Sequence, residues 1–183
     1  MNTTPLNQAH NMRPGTLSGG GATICTTDVV IEIPRGSRVK TEVCKDTGIY
    51  RADRLVKYPY PAAYGFIPST LATDGDALDV FVLTNEQLPT GTTIQVDIVD
   101  AIYMRDLDDD GISLQDHKVI GVIRGEECRR DRRQGLVDFL RTYKEGTEVE
   151  TARFYPQDVA HLIHDCREAY DHKVLSHPMH GIG

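Results

Sequence analysis

Apolar and polar positions alternate along the first recognisable element of the chain. Val29, Ile31 and Ile33 fall on one side of an extended segment that Pro34 ends, and Val30 and Glu32 fall on the other. The same period predicts strands over 39–43 and 49–55, joined by a hairpin-like turn at Lys45-Asp46-Thr47-Gly48. Residues 58–65 are rich in proline and tyrosine and are read as a loop. Further strands are predicted over 78–84, 93–103 and 118–124. The period then changes. Leu136, Phe139, Leu140 and Tyr143 repeat at helical spacing, and Val159, Leu162, Ile163 and Cys166 do so again. Strands followed by helices predict an α+β protein, a small antiparallel β-barrel flanked by two main helices.

The 183 residues fit one compact domain. Residues 1–27 are polar and contain Gly19-Gly20-Gly21, which reads as a flexible N-terminal arm ahead of a single domain over 28–183. The formal charge of -7 disfavours nucleic acid and anionic membrane as partners. No apolar run is long enough to span a bilayer, and the first 21 residues lack the apolar core of a signal peptide. Cys25, Cys44, Cys128 and Cys166 form no CxxC pair. That spacing argues against a zinc ribbon and fits reduced thiols in a cytoplasm.

The candidate chemistry centres on Asp74-Gly75-Asp76-Ala77-Leu78-Asp79. Three carboxylates this close repel one another, and a hard divalent cation bound through oxygen would hold them together. A solvated Asp-Gly turn is an equal reading of the hexad alone. Glu32 interrupts an apolar strand, either as part of a wet face or as a carboxylate lining a cavity. Lys40 and Glu42 share a face of the next strand, and Arg54 closes the strand after it; such cations serve phosphate oxygens or solvate a surface. Tyr60 and Tyr64 stand in the proline-stiffened loop, where tyrosine usually packs.

A second acidic run, Asp106-Leu107-Asp108-Asp109-Asp110-Gly111, matches the first half of an EF-hand loop. Its twelfth position is His117 where calcium binding expects glutamate, so an EF-hand is not expected. His161 and His164 lie one helical turn apart; surface or subunit-contact roles outweigh a shared metal. No P-loop or dinucleotide fingerprint is present, and no Ser-His-Asp or Cys-His order stands out.

These pieces occur in an order that resembles the soluble family I inorganic pyrophosphatases of bacterial type. The matching text is Val29-Val30-Ile31-Glu32-Ile33-Pro34, Val39-Lys40-Thr41-Glu42, Ala52-Asp53-Arg54 and Tyr60-Pro61-Ala62-Ala63-Tyr64-Gly65. It continues with the hexad and Val80, then Asp116-His117-Lys118 and Tyr143-Lys144. Each piece alone is weak, and together in order they are specific. The resemblance implies a five-stranded OB-like barrel, Mg2+-dependent hydrolysis of pyrophosphate to two orthophosphates, and a homo-oligomer, typically a hexamer. Mn2+ would substitute for Mg2+.

By resemblance, Asp74, Asp79 and Asp116 would be metal ligands, joined by one aspartate of the second acidic run. Asp106 follows Met104 at the family-like offset, Asp108 sits in a family-like acidic run, and Asp106 is preferred. Glu32 would bind a metal brought in with substrate. Asp76 would be the general base. Lys40, Arg54, Lys118, Tyr143 and Lys144 would hold the phosphates, and Tyr64 would donate its hydroxyl near the bridging water or the phosphate.

Two departures stand out. Ala77 replaces the family's usual proline, and the 104–116 loop is longer than in typical bacterial members. Its extra carboxylates suggest an adjoining Ca2+ site that would inhibit. A noncatalytic calcium- or phosphate-binding module and a nucleotide pyrophosphohydrolase are the competing readings.

Overall fold

The computed structural model describes residues 23–44, 47–107, 110–126, 130–143, 147–149 and 155–176. Lys144, Asp108, Cys128, most of the expected N-terminal arm and part of the first expected turn lie outside the described residues. The elements, in chain order, are β1 (Cys25–Ile33), β2 (Val39–Val43), β3 (Tyr50–Leu55), β4 (Ala63–Phe66), β5 (Asp79–Leu83) and β6 (Thr93–Ile102). They continue with β7 (Met104–Leu107), β8 (Ser113–Gln115), β9 (Lys118–Val122), α1 (Arg130–Tyr143), β10 (Glu148–Val149) and α2 (Pro156–Ser176).

Strands β1, β4, β5, β9 and β6 close into a five-stranded barrel. The barrel is mixed, not antiparallel as the pattern suggested, because β5 and β9 run parallel and pair Asp79 with Lys118. The two strands are far apart in the chain, so no hairpin constrains their direction. Strand β4 begins within the stretch expected to be a loop and extends one residue past it. Its Gly65 is required there: a Cβ would stand 1.9 Å from the carbonyl oxygen of Val30 on β1. Strand β1 begins at Cys25, before the expected start of the strand at Val29 and of the domain at Asp28, and pairs with β6 from its first residue.

The β2–β3 hairpin forms its own two-stranded sheet beside the barrel. The second acidic run begins in another small sheet, β10-β7-β8. Asp106 lies on β7 opposite Leu114, and Gly111, at φ 77°, lies in the connection to β8. This is a strand-to-strand connection and not the helix-flanked loop of an EF-hand.

Two apolar clusters hold the fold. One draws residues from all five barrel strands, among them Ile31, Ala63, Val80, Ile98 and Val119, and includes Val159, Ile163 and Cys166 of α2. The other joins Ile33, Phe81, Leu83 and Ile120 to Leu136, Phe139 and Leu140 of α1. Successive β5 residues therefore point into different clusters, which is why the whole strand is apolar after Asp79. No helix among the described residues is long and apolar enough to cross a membrane.

Candidate active site

One cavity of roughly 940 Å³ opens where the barrel, the β2–β3 hairpin and the ends of both helices meet. Glu32, Lys40, Arg54, Tyr64, Asp74, Asp76, Asp79, Asp106, Asp116, Lys118 and Tyr143 all line it. Every expected site residue within the described part of the chain is therefore brought to one place.

The parallel β5–β9 pair makes the centre of this site. It sets the first residues of the two strands, Asp79 and Lys118, side by side. Asp116, two residues before Lys118, projects to the same side, and the Lys118 ammonium contacts both Asp79 Oδ2 and Asp116 Oδ1. Lys118 is only 5% exposed. Burial alone would lower its pKa, but the two carboxylates outweigh this and hold the ammonium charged beyond its ordinary range. Tyr64, on β4, donates its hydroxyl to Asp79 Oδ2 at 2.5 Å. Burial, with Asp79 and Asp116 nearby, raises the Tyr64 pKa well above its usual value, so the phenol remains a donor.

The acidic hexad is a tight turn. Gly75 takes φ 88°, Gly75 N–H donates to the Ala72 carbonyl at 3.0 Å, and Ala72 N–H donates to the Asp76 carbonyl at 2.7 Å. Asp74 Oδ1 accepts the Asp76 N–H at 3.0 Å. These bonds stiffen the turn that Ala77, in place of proline, leaves without a ring. Burial, reinforced by the Asp116 carboxylate, raises the Asp74 pKa against the pull of the Asp76 N–H. The turn is anchored on its N-terminal side by two bonds: Leu71 N–H donates to the Cys166 carbonyl of α2 at 2.8 Å, and Thr73 Oγ1 donates to the Gln115 carbonyl at 2.7 Å.

Glu32 occupies a β-bulge, the extra residue between Ile31, which pairs with Gly65, and Ile33, which pairs with Tyr64. Its Oε1 accepts the Val43 N–H at 3.0 Å. Burial, together with the Asp79 and Glu42 carboxylates, pushes its pKa up to about 7, although the Val43 bond pulls the other way. Asp106 Oδ1 accepts from Leu107 N–H at 2.9 Å and from Thr147 Oγ1 at 3.3 Å.

The wall formed by the β2–β3 hairpin carries further cations. Lys40 pairs with Glu42 and lies 3.4 Å from Asp53. Asp53 is itself the bulged residue of β3, and its carboxylate is 3.5 Å from Arg54. Arg54 Nη2 donates to the Tyr143 hydroxyl at 3.4 Å. The sequence reading left Tyr60 as packing, yet its hydroxyl donates to Tyr143 Oη at 3.1 Å and its ring sits 5.0 Å from Phe139. Tyr170 and Lys173 of α2 also line the cavity. They continue the helical stripe of Val159, Ile163 and Cys166, the signal that would have found them.

His161 and His164 are exposed on α2, and His164 Nε2 lies 3.5 Å from Glu168. Among the described residues no group of three or more His, Cys, Asp or Glu side chains is gathered as a ready metal cage. The carboxylates face a common space, with the Lys118 ammonium between two of them.

The fold and this site define a small-barrel protein whose cavity sets carboxylates against phosphate-type cations. The family model described as inorganic pyrophosphatase matches residues 29–171. The inorganic pyrophosphatase of Geobacillus stearothermophilus is 31% identical over 154 residues, 79% of this chain and 93% of that protein. That of Gluconobacter oxydans is 48% identical over 97 residues, 52% of this chain and 53% of that protein, so the chain spans about half the length of this relative. The crystal structure of inorganic pyrophosphatase from Thermus thermophilus superimposes with a TM-score of 0.69 at 33% identity, over 80% of this chain and 91% of that one. The chain belongs to the inorganic pyrophosphatase family.

Proposed function

We propose that this chain hydrolyses inorganic pyrophosphate to two orthophosphates with Mg2+. The observation that carries the reading is the Tyr64–Asp79–Lys118–Asp116 chain of contacts, which shares one cavity with Lys40, Arg54 and Tyr143. Carboxylates and cations that line one cavity suit a polyanion that arrives with divalent metal.

The donor set fits such a metal. Asp74, Asp79, Asp106, Asp116 and Glu32 offer only hard carboxylate oxygens, which favour Mg2+ or Mn2+ over zinc. Burial first, and neighbouring carboxylates second, raise the pKa of Asp74 and Glu32, and a bound cation would offset both effects. When bound, Mg2+ supplies charge neutralisation on the substrate oxygens and activation of a water molecule.

The protein's own part is positioning and proton transfer. Asp76, exposed on the turn beside Asp74, takes the proton of the attacking water. Oxygen attacks one phosphorus in line, the bridging P–O bond breaks, and its electron pair leaves with the second phosphate. Lys40, Arg54, Tyr143 and Lys144 hold that phosphate, while Lys118 and Tyr64 serve the phosphate under attack. The same reading carries a cytoplasmic homo-oligomer, a hexamer by family resemblance, which sedimentation velocity tests.

The deciding assay is phosphate release from pyrophosphate with Mg2+, run beside ATP as substrate and beside Ca2+ as metal. Rapid release from pyrophosphate alone supports the proposal. No release at neutral pH overturns it, and preference for ATP turns it into a nucleotide pyrophosphohydrolase.

A further inference from the structure

The segment that carries Asp116 leaves the β-ladder in an unusual way. Strand β6 pairs with β9 through Ile102 and Lys118, and β7 pairs with β8 through Arg105 and Gln115. The two registers are in phase, so Met104 should face Asp116 and exchange two backbone hydrogen bonds with it. One of the two forms: Asp116 N–H donates to the Met104 carbonyl at 3.0 Å. The other is diverted. Met104 N–H donates instead to His117 Nδ1 at 3.1 Å. Met104 is buried, and its N–H needs a partner. The imidazole supplies one and releases the Asp116 carbonyl from the ladder.

Neighbouring groups fix the arrangement. The His117 ring lies 4.4 Å from the Tyr103 ring, and the Gln115 carbonyl is held by Thr73 Oγ1 from the acidic turn at 2.7 Å. Gln115, Asp116 and His117 are thus each tied, one by the acidic turn and two by Met104. Because Nδ1 accepts, the ring carries its proton on Nε2. Of these ties, only the one at His117 depends on a side chain within the segment itself. The peptide it frees carries the carboxylate that meets Lys118.

We propose that His117 is a positioning residue: by accepting the Met104 N–H it sets the Asp116 carboxylate in the orientation that binds metal. The proposal rests on the reading of Asp116 as a ligand. Residues that orient metal ligands from behind typically change metal affinity about 10- to 100-fold when removed.

The test compares His117→Asn with His117→Gln in the full chain. Asparagine places an acceptor where Nδ1 stands, whereas glutamine places one where Nε2 stands. Mg2+ and Mn2+ binding are measured by calorimetry without substrate, and thermal melting is recorded in EDTA. The expected result is near-native affinity for His117→Asn and about tenfold weaker binding for His117→Gln, with similar melting temperatures. Equal affinities in the two variants, or weaker binding in His117→Asn, would overturn the proposal. A wild-type chain that binds metal but releases no phosphate would overturn the functional reading and leave this one standing.

Discussion

Asp79 and Lys118 are opposite partners across the parallel β5–β9 pair, and the Lys118 ammonium reaches on to Asp116. A nearly buried cation therefore links two carboxylates from distant parts of the chain.

Removing that cation exposes the repulsion it masks. Lys118→Met should destabilise the metal-free protein by about 3 kcal/mol at pH 8, because it leaves two poorly solvated carboxylates uncompensated. Added Mg2+ should recover more stability in the variant than in wild type. Urea unfolding in EDTA and in Mg2+ measures both; equal stability of the two proteins in EDTA would contradict the account.

Glu32 gives stability a pH dependence of defined sign. Its folded-state pKa of about 7 lies above the unfolded value of about 4.3, so the folded protein keeps this proton after the unfolded chain has lost it. The group's contribution is fully present below about pH 4 and is lost as pH rises through about 7. Glu32→Gln keeps the acceptor for Val43 N–H and removes the ionisation. In EDTA its melting temperature should match wild type near pH 4 and exceed it at pH 8. Saturating Mg2+ at pH 8 should reverse the order. A wild-type advantage in EDTA at pH 8 would count against the assignment.

Asp76 is the proposed base. Asp76→Asn should lower turnover by about 10²–10⁴-fold while calorimetric Mg2+ binding largely survives. Near-normal turnover would remove Asp76 from the role.

Tyr60 tests the cationic wall. Tyr60→Phe keeps the ring against Phe139 and deletes the hydroxyl that donates to Tyr143. Loss of one such hydrogen bond is worth about 1 kcal/mol, so KM for pyrophosphate should rise roughly fivefold with a smaller change in kcat. Steady-state kinetics decide; an unchanged KM would detach Tyr60 from the substrate.

Much of this site was legible before any coordinates. The alternation of Val29, Ile31 and Ile33 predicted a buried face with Glu32 opposite, and all three are fully buried. Helical spacing located both α1 and α2. What escaped was non-local. Nothing near Asp79 or Lys118 in the chain announces a parallel pairing, so the barrel was expected to be antiparallel. Strand β4 was concealed because Pro61 and Gly65 resemble loop residues, although Gly65 is there for a close backbone approach. Strands β7 and β8 were missed because the charges around Asp106 suppress any apolar alternation. Tyr60 and Lys173 were left out because packing and solvation are the usual lot of such residues.

The hydrogen bond from Leu71 to the carbonyl of Cys166 gives the final helix a task that its ordinary amphipathic sequence does not advertise. It moors the acidic turn to an element that contributes none of the proposed ligands. A chain cut before Pro156 would retain every one of those ligands and the described cations proposed to hold phosphate. It would nevertheless lose one of the two fixed points from which Asp74 is held over the cavity. The working unit is therefore larger than the set of residues that touch substrate, and a transplant without α2 would carry the reagents without the bench.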